Sequence, residues 1–167
     1  VLLQVHGGAW MIGKKEEQAL PLMYHMAQRG WLCVAINYRL SPTAAFPAHI
    51  IDVKKAIAWI RENIQDYGGN PGFIAVTGGS AGGHLSSLAA LTPNREEWQP
   101  GFEEADTSLQ AAVPFYGVYD FLDRFDIRPQ MSMEPMLTDK VMQCSPQDNR
   151  ELWEAASPLG QVSPDAP

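Results

Sequence analysis

The sequence predicts an α/β fold, a three-layer αβα sandwich built around a mostly parallel β-sheet. Short apolar runs of strand length alternate along the chain with longer segments whose apolar residues recur every three or four positions. Strands that are apolar on both faces, and are separated by helices, are typical of a parallel sheet covered on each side. The composition agrees, since 46% of the 167 residues are hydrophobic and supply enough apolar surface for a core.

The first strand is predicted at residues 1–5, where a continuous apolar run precedes a glycine-rich loop. A helix near 16–29 follows, and Gly30 ends it, as glycine commonly does at a helix C-terminus. Its predicted apolar stripe consists of Leu20, Met23, Met26 and Ala27. A second strand is predicted at 31–37.

The longest helix is predicted from residue 48 to 67, because its large apolar residues are spaced three and four apart. These residues are Ile50, Val53, Ile57, Ile60 and Ile64, and Gly68 and Gly69 stop the helix. A strand at 73–77 and a helix at 82–91 come next, with Leu85, Leu88 and Ala89 turned inward. A fourth strand is predicted at 109–116, after a polar loop.

Ser80 lies in the segment Gly78-Gly79-Ser80-Ala81-Gly82-Gly83, between a predicted strand and a predicted helix. A sharp turn from strand to helix holds such a serine in a strained backbone conformation, with its hydroxyl exposed above the sheet. Side chains at positions 78 and 82 would crowd this turn, so glycine is required at both. The G-x-S-x-G pattern predicts that Ser80 is the nucleophile of a serine hydrolase.

A second glycine-rich loop, His6-Gly7-Gly8-Ala9-Trp10, follows the first predicted strand. Acyl transfer needs backbone N–H groups aimed at the developing oxyanion, and glycine-rich loops expose such groups. We expect an oxyanion hole formed by the N–H groups of Gly7, Gly8 and Ala81, with Ala9 as a further candidate. His6 is expected to support this loop through hydrogen bonds and not to act as the catalytic base.

A third motif, Asn37-Tyr38-Arg39-Leu40-Ser41-Pro42, follows the second predicted strand. In chain order, the segments HGGAW, NYRLSPTAAFPA and GGSAGGHL resemble the hormone-sensitive-lipase-like branch of the α/β-hydrolases. That branch includes bacterial carboxylesterases and feruloyl-esterase-like proteins. The resemblance covers most of the chain up to about residue 120 and weakens beyond it.

The resemblance implies an α/β-hydrolase fold and hydrolysis of a small-molecule carboxylic ester through an acyl-enzyme on Ser80. Gly79 stands where lipase-like members often carry an acidic residue, which favours the feruloyl-esterase-like or small-ester relatives. Ala9 replaces a glycine that is frequent in the family, but its backbone N–H is retained.

The base and the acid of the expected triad are not apparent in the sequence. In α/β-hydrolases the nucleophile is followed by Asp or Glu and then by His, and the only histidine after Ser80 is His84. His84 lies on the helix that leaves the turn and is expected to pack there. The resemblance places the triad acid and histidine after two further strands. We therefore expect residues 1–167 to form a single partial core, incomplete at both ends and nearly inactive alone.

Residues 118–150 interrupt the regular pattern with methionine and aromatic residues mixed among charges. Two interpretations stay open. The segment is either an irregular surface excursion, or it forms a partial lid or pocket wall. The second interpretation is favoured by the methionine and aromatic side chains, which form adaptable binding surfaces. Trp10 and Tyr116 are candidates for the substrate pocket, with Tyr38 as an alternative to Tyr116. Core packing is the more conservative assignment for each of them.

The charge balance of 12 basic against 19 acidic residues gives a net charge of −7. An acidic chain without a basic stripe argues against a nucleic-acid partner. No apolar run reaches the roughly 20 residues that span a bilayer. No signal peptide is visible, so the compartment stays open with a slight preference for the cytoplasm. The expected mechanism needs no cofactor, no metal-binding cluster is apparent, and the oligomeric state is undetermined.

Two alternatives to an esterase remain at this point. A peptidase or amidase of the same fold shares the chemistry up to the leaving group. A non-catalytic homologue that binds a small molecule would keep the fold without the full triad, but it would not need a strained serine. The resemblance also places strands 31–37 and 109–116 at the sheet edges, where their lack of charge predicts aggregation of the isolated chain.

Overall fold

A computed structural model describes residues 1–127 and 133–167 of the chain. Its centre is a sheet of four parallel strands in the order β2-β1-β3-β4. The strands are β1 (Leu2–Val5), β2 (Cys33–Ile36), β3 (Ala75–Gly79) and β4 (Ala111–Phe115). This order confirms that the second and fourth predicted strands form the two edges of the sheet.

Five α-helices lie in the described part of the chain, and shorter helical turns accompany them. The helices are α1 (Leu20–Ala27), α2 (Ala48–Asn63), α3 (Ala81–Leu91), α4 (Glu134–Met136) and α5 (Arg150–Ala155). The 3-10 turns are Ile64–Tyr67, Glu96–Trp98 and Pro158–Gln161, and a π-helical turn spans Leu137–Met142. The predicted fold class is confirmed, since helices flank a parallel sheet.

Helix α2 follows its predicted pattern closely. The five residues that define the predicted stripe, Ile50, Val53, Ile57, Ile60 and Ile64, are all buried, and Ile64 lies in the 3-10 turn that continues α2. Gly68 adopts φ 82, and its N–H bonds to the carbonyls of Ile64 and Gln65 at the start of the 3-10 turn, so the chain reverses there without strain. The regular spacing of apolar residues lies within one continuous segment, so this helix could be predicted from its sequence.

Helix α1 is shorter and less buried than predicted. It begins at Leu20 and not near residue 16, because Ala19 adopts a left-handed conformation with φ 58. Pro21 is accommodated in the first turn, where a proline costs no helical hydrogen bond. None of the residues of α1 is buried, so the predicted apolar stripe is only partly covered.

The main core lies on one face of the sheet. Leu3, Val5 and Val76 are fully buried and point to the same face, because alternate strand residues share a side. Helices α2 and α3 pack against each other, and both contribute to the core on that face. Helix α3 is buried from Ala81 to Ala90, which places the segment after Ser80 inside the molecule.

The opposite face is only partly covered. The Cys33 thiol contacts the carbonyl of Met23 at 3.5 Å, which places α1 over β2 on this side. A cavity of about 280 Å³ lies beside the polar side chains of Gln4 and Thr77. The side chains of Val113 and Phe115 on β4 are 52% and 46% exposed.

The segment 118–150 contributes to the core as well as to the surface. Phe121, Leu137 and Val141 are buried, and the Val141 carbonyl accepts the Phe46 N–H at 2.8 Å. Phe125 and Ile127 remain exposed. Residues 128–132 lie outside the described residues, and the interpretation of this segment as a lid stays a prediction.

Candidate active site

Two loops with predicted roles meet at the carboxyl edge of the sheet. Strands β1 and β3 are neighbours, with Val5 paired to Gly78, so the segments that follow them lie side by side. His6-Gly7-Gly8 leaves the end of β1, and Ser80 leaves the end of β3. The carboxyl edge is where open parallel sheets place their ligand sites.

Ser80 has the backbone conformation of a sharp strand-to-helix turn, with φ 55 and ψ −119. Its N–H donates to the Phe115 carbonyl at 3.0 Å, and its own carbonyl accepts the His84 N–H at 3.0 Å. The side chain does not cap α3 and is half-buried. A non-glycine residue in this region of φ is strained, and its neighbours must hold it there.

Glycines make this turn sterically possible. A Cβ added at Gly78 would lie 2.5 Å from the Val5 carbonyl oxygen and 2.6 Å from the Gly82 backbone. A Cβ at Gly82 would overlap the same Val5 oxygen, and one at Gly83 would lie 2.6 Å from the Phe115 oxygen. The crowding expected at positions 78 and 82 is present, since both glycines pack against the end of β1.

The loop after β1 is also strained. Gly8 has φ 120, and the non-glycine residues Ala9 and Trp10 have φ 51 and 60. The Gly8 carbonyl accepts the N–H groups of Met11 and Ile12 at 2.9 and 3.0 Å, which closes the loop on itself. The loop is thereby held in one tight turn beside Ser80.

The Gly7 N–H, a predicted oxyanion donor, has a partner within the protein. It donates to the side-chain Oε1 of Gln18 at 2.7 Å and is therefore engaged within the protein. Gly7 lies directly against the turn, since a Cβ added there would be 2.6 Å from the Gly79 oxygen and 3.4 Å from the Ser80 Cβ. Gly7 is thus a tightly packed support of the loop and not a free donor.

His6 makes the contacts expected of a loop support. It is buried, and its Nδ1 lies 2.7 Å from the Gly7 carbonyl oxygen. Its ring stacks on Tyr38 with centroids 4.4 Å apart, and the Tyr38 hydroxyl donates to the His6 carbonyl at 3.0 Å. Burial raises the pKa of Tyr38, so its hydroxyl stays protonated and keeps this bond.

The third motif, residues 37–42, connects the loop after β1 to helix α2. Arg39 donates to both carboxylate oxygens of Asp52, in a fork geometry with an Nη2–Oδ1 distance of 2.9 Å. Two residues on, the Ser41 hydroxyl oxygen lies 3.0 Å from Nε2 of the buried His49. Both contacts connect this motif to α2, and Tyr38 connects it to the loop after β1.

His84 is fully engaged in the core. Its Nδ1 accepts the indole N–H of Trp10 at 3.0 Å, so its Nε2 carries the proton and lies 2.8 Å from the Ala156 carbonyl oxygen. Its ring stacks on Phe121 at 4.6 Å. Burial lowers the pKa of His84 to about 4, which keeps it neutral. The expected packing role of His84 is confirmed.

The remaining histidines do not complete a triad among the described residues. His25 is exposed on α1 and lies 3.0 Å from the Arg29 guanidinium. His49 is buried beside Ser41, and burial lowers its pKa to about 4. His6 faces its own loop. Each of the four histidines thus has another structural partner, and none pairs with Ser80 in the part of the chain described.

The two pocket candidates have different environments. Trp10 is 1% exposed and packs edge-on against His84 and Phe121, so its indole belongs to the core and does not line an open pocket. Tyr116 is 80% exposed, and its hydroxyl lies 2.6 Å from the place that a Cβ of Gly79 would occupy. Because residue 79 has no side chain, Tyr116 can lie beside the turn.

An open cavity of about 380 Å³ adjoins Tyr116 after the end of β4. Its lining is mainly aromatic and aliphatic and includes Tyr119, Phe125, Ile127, Met133 and Leu159. Within residues 1–127 and 133–167, no cluster of three His, Cys, Asp or Glu side chains could hold a metal ion. The same residues contain no helix both long and apolar enough to cross a bilayer.

The chain matches a known family along its whole length. The family model described as BD-FAE matches residues 1–167. The chain belongs to the BD-FAE family. Curated relatives of this BD-FAE chain include the probable carboxylic ester hydrolase LipM of Mycobacterium tuberculosis, which is 59% identical over 167 residues. Esterase LipQ of the same organism is 55% identical over 167 residues.

These alignments cover 100% of the BD-FAE chain but only 38% of LipM and 39% of LipQ. The chain thus spans about two fifths of the length of these relatives. The alignments with LipM and LipQ include all three motifs and the segment 118–150. The resemblance based on the motifs alone weakened after about residue 120.

Solved structures confirm the α/β-hydrolase fold of the BD-FAE chain. A bifunctional GH43-CE protein of Bacteroides eggerthii superimposes with a TM-score of 0.87 at 26% identity, over 99% of the chain and 25% of that protein. The butyrate-bound esterase Est2 of Thermogutta terrifontis has a TM-score of 0.77 at 25% identity, over 99% of the chain and 58% of Est2.

Two contacts of this site escaped the sequence analysis. Gln18 is a single glutamine in a polar stretch before α1, and nothing in its spacing points to Gly7, eleven residues earlier. The Trp10–His84 bond joins residues 74 positions apart. Tertiary packing determines which distant residues form such hydrogen bonds, and no local sequence pattern predicts them.

Proposed function

We propose that this chain carries the nucleophile and the oxyanion hole of a carboxylic ester hydrolase. The observation that supports this most directly is the strained conformation of Ser80 on a glycine-packed turn beside the loop after β1. A strained serine persists only where its surroundings hold it, and such strain concentrates at active sites. The names of the relatives LipM, LipQ and Est2 support the same reaction class.

In the proposed reaction the Ser80 Oγ attacks the acyl carbon of the ester while a base removes its proton. The carbonyl oxygen becomes an oxyanion that accepts hydrogen bonds from the N–H groups of Gly8, Ala9 and Ala81. The alcohol leaves with a proton, and an acyl-enzyme remains on Ser80. Water then attacks the acyl-enzyme by the same route, releasing the acid and restoring the hydroxyl.

The general base and its orienting carboxylate belong, in this proposal, to a part of the protein outside residues 1–167. The four histidines of the chain have other partners, as described above. The relatives are also more than twice as long as the aligned segment, which leaves room for both residues. The 167-residue chain alone is therefore expected to be nearly inactive.

The proposed substrate is a small-molecule ester. The cavity beside Tyr116 is largely apolar, and such a surface suits an aliphatic or aromatic group of the substrate better than a charged one. In this proposal Tyr116 lines the pocket, and the segment 118–150 forms part of its wall. Trp10 has no direct contact with the substrate.

Labelling with a fluorophosphonate tests the nucleophile, since an activated serine displaces the fluoride of this probe and becomes phosphonylated. We expect the full-length protein to be labelled and to hydrolyse p-nitrophenyl butyrate. Both properties should be lost in Ser80→Ala, because the reacting hydroxyl is absent. Ser86→Ala, which removes a buried hydroxyl of α3 without touching the turn, is the matched control and should keep both.

The outcomes separate the competing functions. Labelling of the 167-residue chain itself would place the base within it and contradict the proposed division of the triad. A full-length protein that is neither labelled nor active would favour a non-catalytic binding protein. Cleavage of an amide without cleavage of the matching ester would favour a peptidase or amidase.

A further inference from the structure

We propose that Gln18 is a positioning residue that clamps the oxyanion loop against Ser80. This inference rests on the proposed function, since it assigns Gln18 a role in the same reaction. Gln18 lies just before α1 and shares no sequence motif with the loop after β1. Its side chain nevertheless bonds to both backbone groups of a single loop residue.

The clamp has two arms. The Gln18 Oε1 accepts the Gly7 N–H at 2.7 Å, and the Gln18 Nε2 donates to the Gly7 carbonyl at 3.4 Å. A side-chain amide bonded to the N–H and the C=O of one residue pairs with it much as a neighbouring strand would. The first arm is short and carries most of the interaction, and the second lies at the long limit of a hydrogen bond.

All polar backbone atoms of Gly7 are thereby engaged. Its carbonyl also lies 2.7 Å from the His6 Nδ1, so a second side chain holds the same peptide. The donors left for an oxyanion follow directly after Gly7, at Gly8 and Ala9. Gln18 would therefore act on the reaction through Gly7 and not through contact with the substrate.

The position of Gly7 is coupled closely to the nucleophile. A Cβ added at Gly7 would touch the Gly79 oxygen at 2.6 Å and the Ser80 Cβ at 3.4 Å, so nothing separates the loop from the turn. A shift of the Gly7 peptide would carry the following donors away from the oxyanion. A misplacement of about 1 Å can cost about 100-fold in rate.

Gln18 is itself held in place by the beginning of α1. Ala19 adopts the left-handed conformation, and its carbonyl accepts the Met23 N–H at 2.9 Å in the first turn of the helix. The chain direction at residue 18 is therefore set by the helix start.

Steady-state kinetics of the full-length protein with p-nitrophenyl butyrate tests the clamp. Gln18→Leu removes both arms at similar volume, and we expect kcat to fall about 100-fold with KM nearly unchanged, because the donors act mainly in the transition state. Gln18→Glu keeps an acceptor for the Gly7 N–H, so its kcat should exceed that of Gln18→Leu. The matched control Gln28→Leu, at the exposed end of α1, should keep the wild-type kcat.

The results distinguish this inference from the proposed function. A wild-type protein that is inactive and unlabelled at Ser80 would overturn the proposed function itself. An active wild type whose Gln18→Leu variant keeps or exceeds the wild-type kcat would overturn only the clamp. A variant that loses thermal stability and changes KM as much as kcat would also overturn it, as a purely structural effect. If Gln18→Leu does not fold, Gln18→Met carries the same test.

Discussion

Gly82 illustrates how a single missing side chain fits the turn at Ser80 into the fold. It follows Ser80 by two residues, and its Cα packs on the end of β1, where a Cβ would overlap the Val5 carbonyl oxygen. The obstructing atom is backbone in the central part of the sheet, so it cannot move aside as a flexible side chain would. The G-x-S-x-G pattern is thus explained by contact with β1 as well as by the turn itself.

Replacing this glycine should be costly. Gly82→Ala is expected to lower the free energy of unfolding of the full-length protein by about 1 to 3 kcal/mol, because overpacking forces the backbone to shift. Thermal or urea unfolding measures the change. Gly72→Ala is the control, since a Cβ at that exposed turn would meet only the Asn70 side chain at 3.1 Å. Equal stability of the two variants would contradict this account of Gly82.

At the scale of elements, α2 combines a regular apolar stripe with one buried charge. Lys54 lies on its buried side, and its ammonium donates to the Thr92 carbonyl and to the Thr107 hydroxyl, 3.3 Å away. Burial, with a smaller contribution from Arg95, lowers the pKa of Lys54 to about 8. The helix is thus tied to the loop after α3 by a residue that is expensive to keep charged.

This arrangement predicts a pH dependence of stability. Between pH 8 and 10.5 the unfolded chain keeps the Lys54 proton that the folded chain has released, so the free energy of unfolding rises with pH. The contribution of Lys54 is on the order of 1 kcal/mol per pH unit. Comparing urea unfolding at pH 8 and 10, we expect this contribution to disappear in Lys54→Met.

Lys55 provides the control for that experiment, since it is the next residue on α2 and is exposed. Lys55→Met should show the same dependence on pH as the wild type, because no buried charge is removed. If Lys54→Met and the wild type respond equally to pH, the buried ammonium does not govern stability in this range.

At the scale of the whole molecule, the sheet ends in two open edges. Strand β2 has the sequence CVAI and β4 has AAVPF, so neither carries a charge. Pro114 removes one N–H from β4, which leaves β2 as the more complete template for pairing. The exposed side chains of Val113 and Phe115 extend an apolar surface beside β4. Open apolar edges favour pairing between chains.

We therefore expect the isolated 167-residue chain to self-associate at micromolar concentration. Size-exclusion chromatography with light scattering measures this, and Val113→Lys should reduce it, because a charge on the exposed face opposes stacking of chains. The full-length protein serves as the comparison. A monodisperse 167-residue monomer that unfolds in one cooperative transition would contradict the expectation.

Local sequence patterns were sufficient for much of the fold and part of the site. The spacing of Ile50, Val53 and Ile57 predicts α2, because a helix repeats every 3.6 residues within one segment. The glycines around Ser80 predict the turn for a similar reason, since its conformation depends on adjacent residues. The start of α1 could not be placed in this way, because the left-handed conformation of Ala19 has no local signal.

The sequence by itself determined the strands, the long helix, the sharp turn at Ser80 and the presence of a second glycine-rich loop. Only the tertiary structure decided which atoms of that loop are free. Gly7 was expected to donate to an oxyanion, but the Gln18 side chain occupies its N–H. Likewise Trp10 was a candidate for the pocket, but its indole bonds to His84 in the core. The physical reason is the same in both cases. Hydrogen bonds between distant residues depend on how the helices and strands pack, so they cannot be predicted from local sequence.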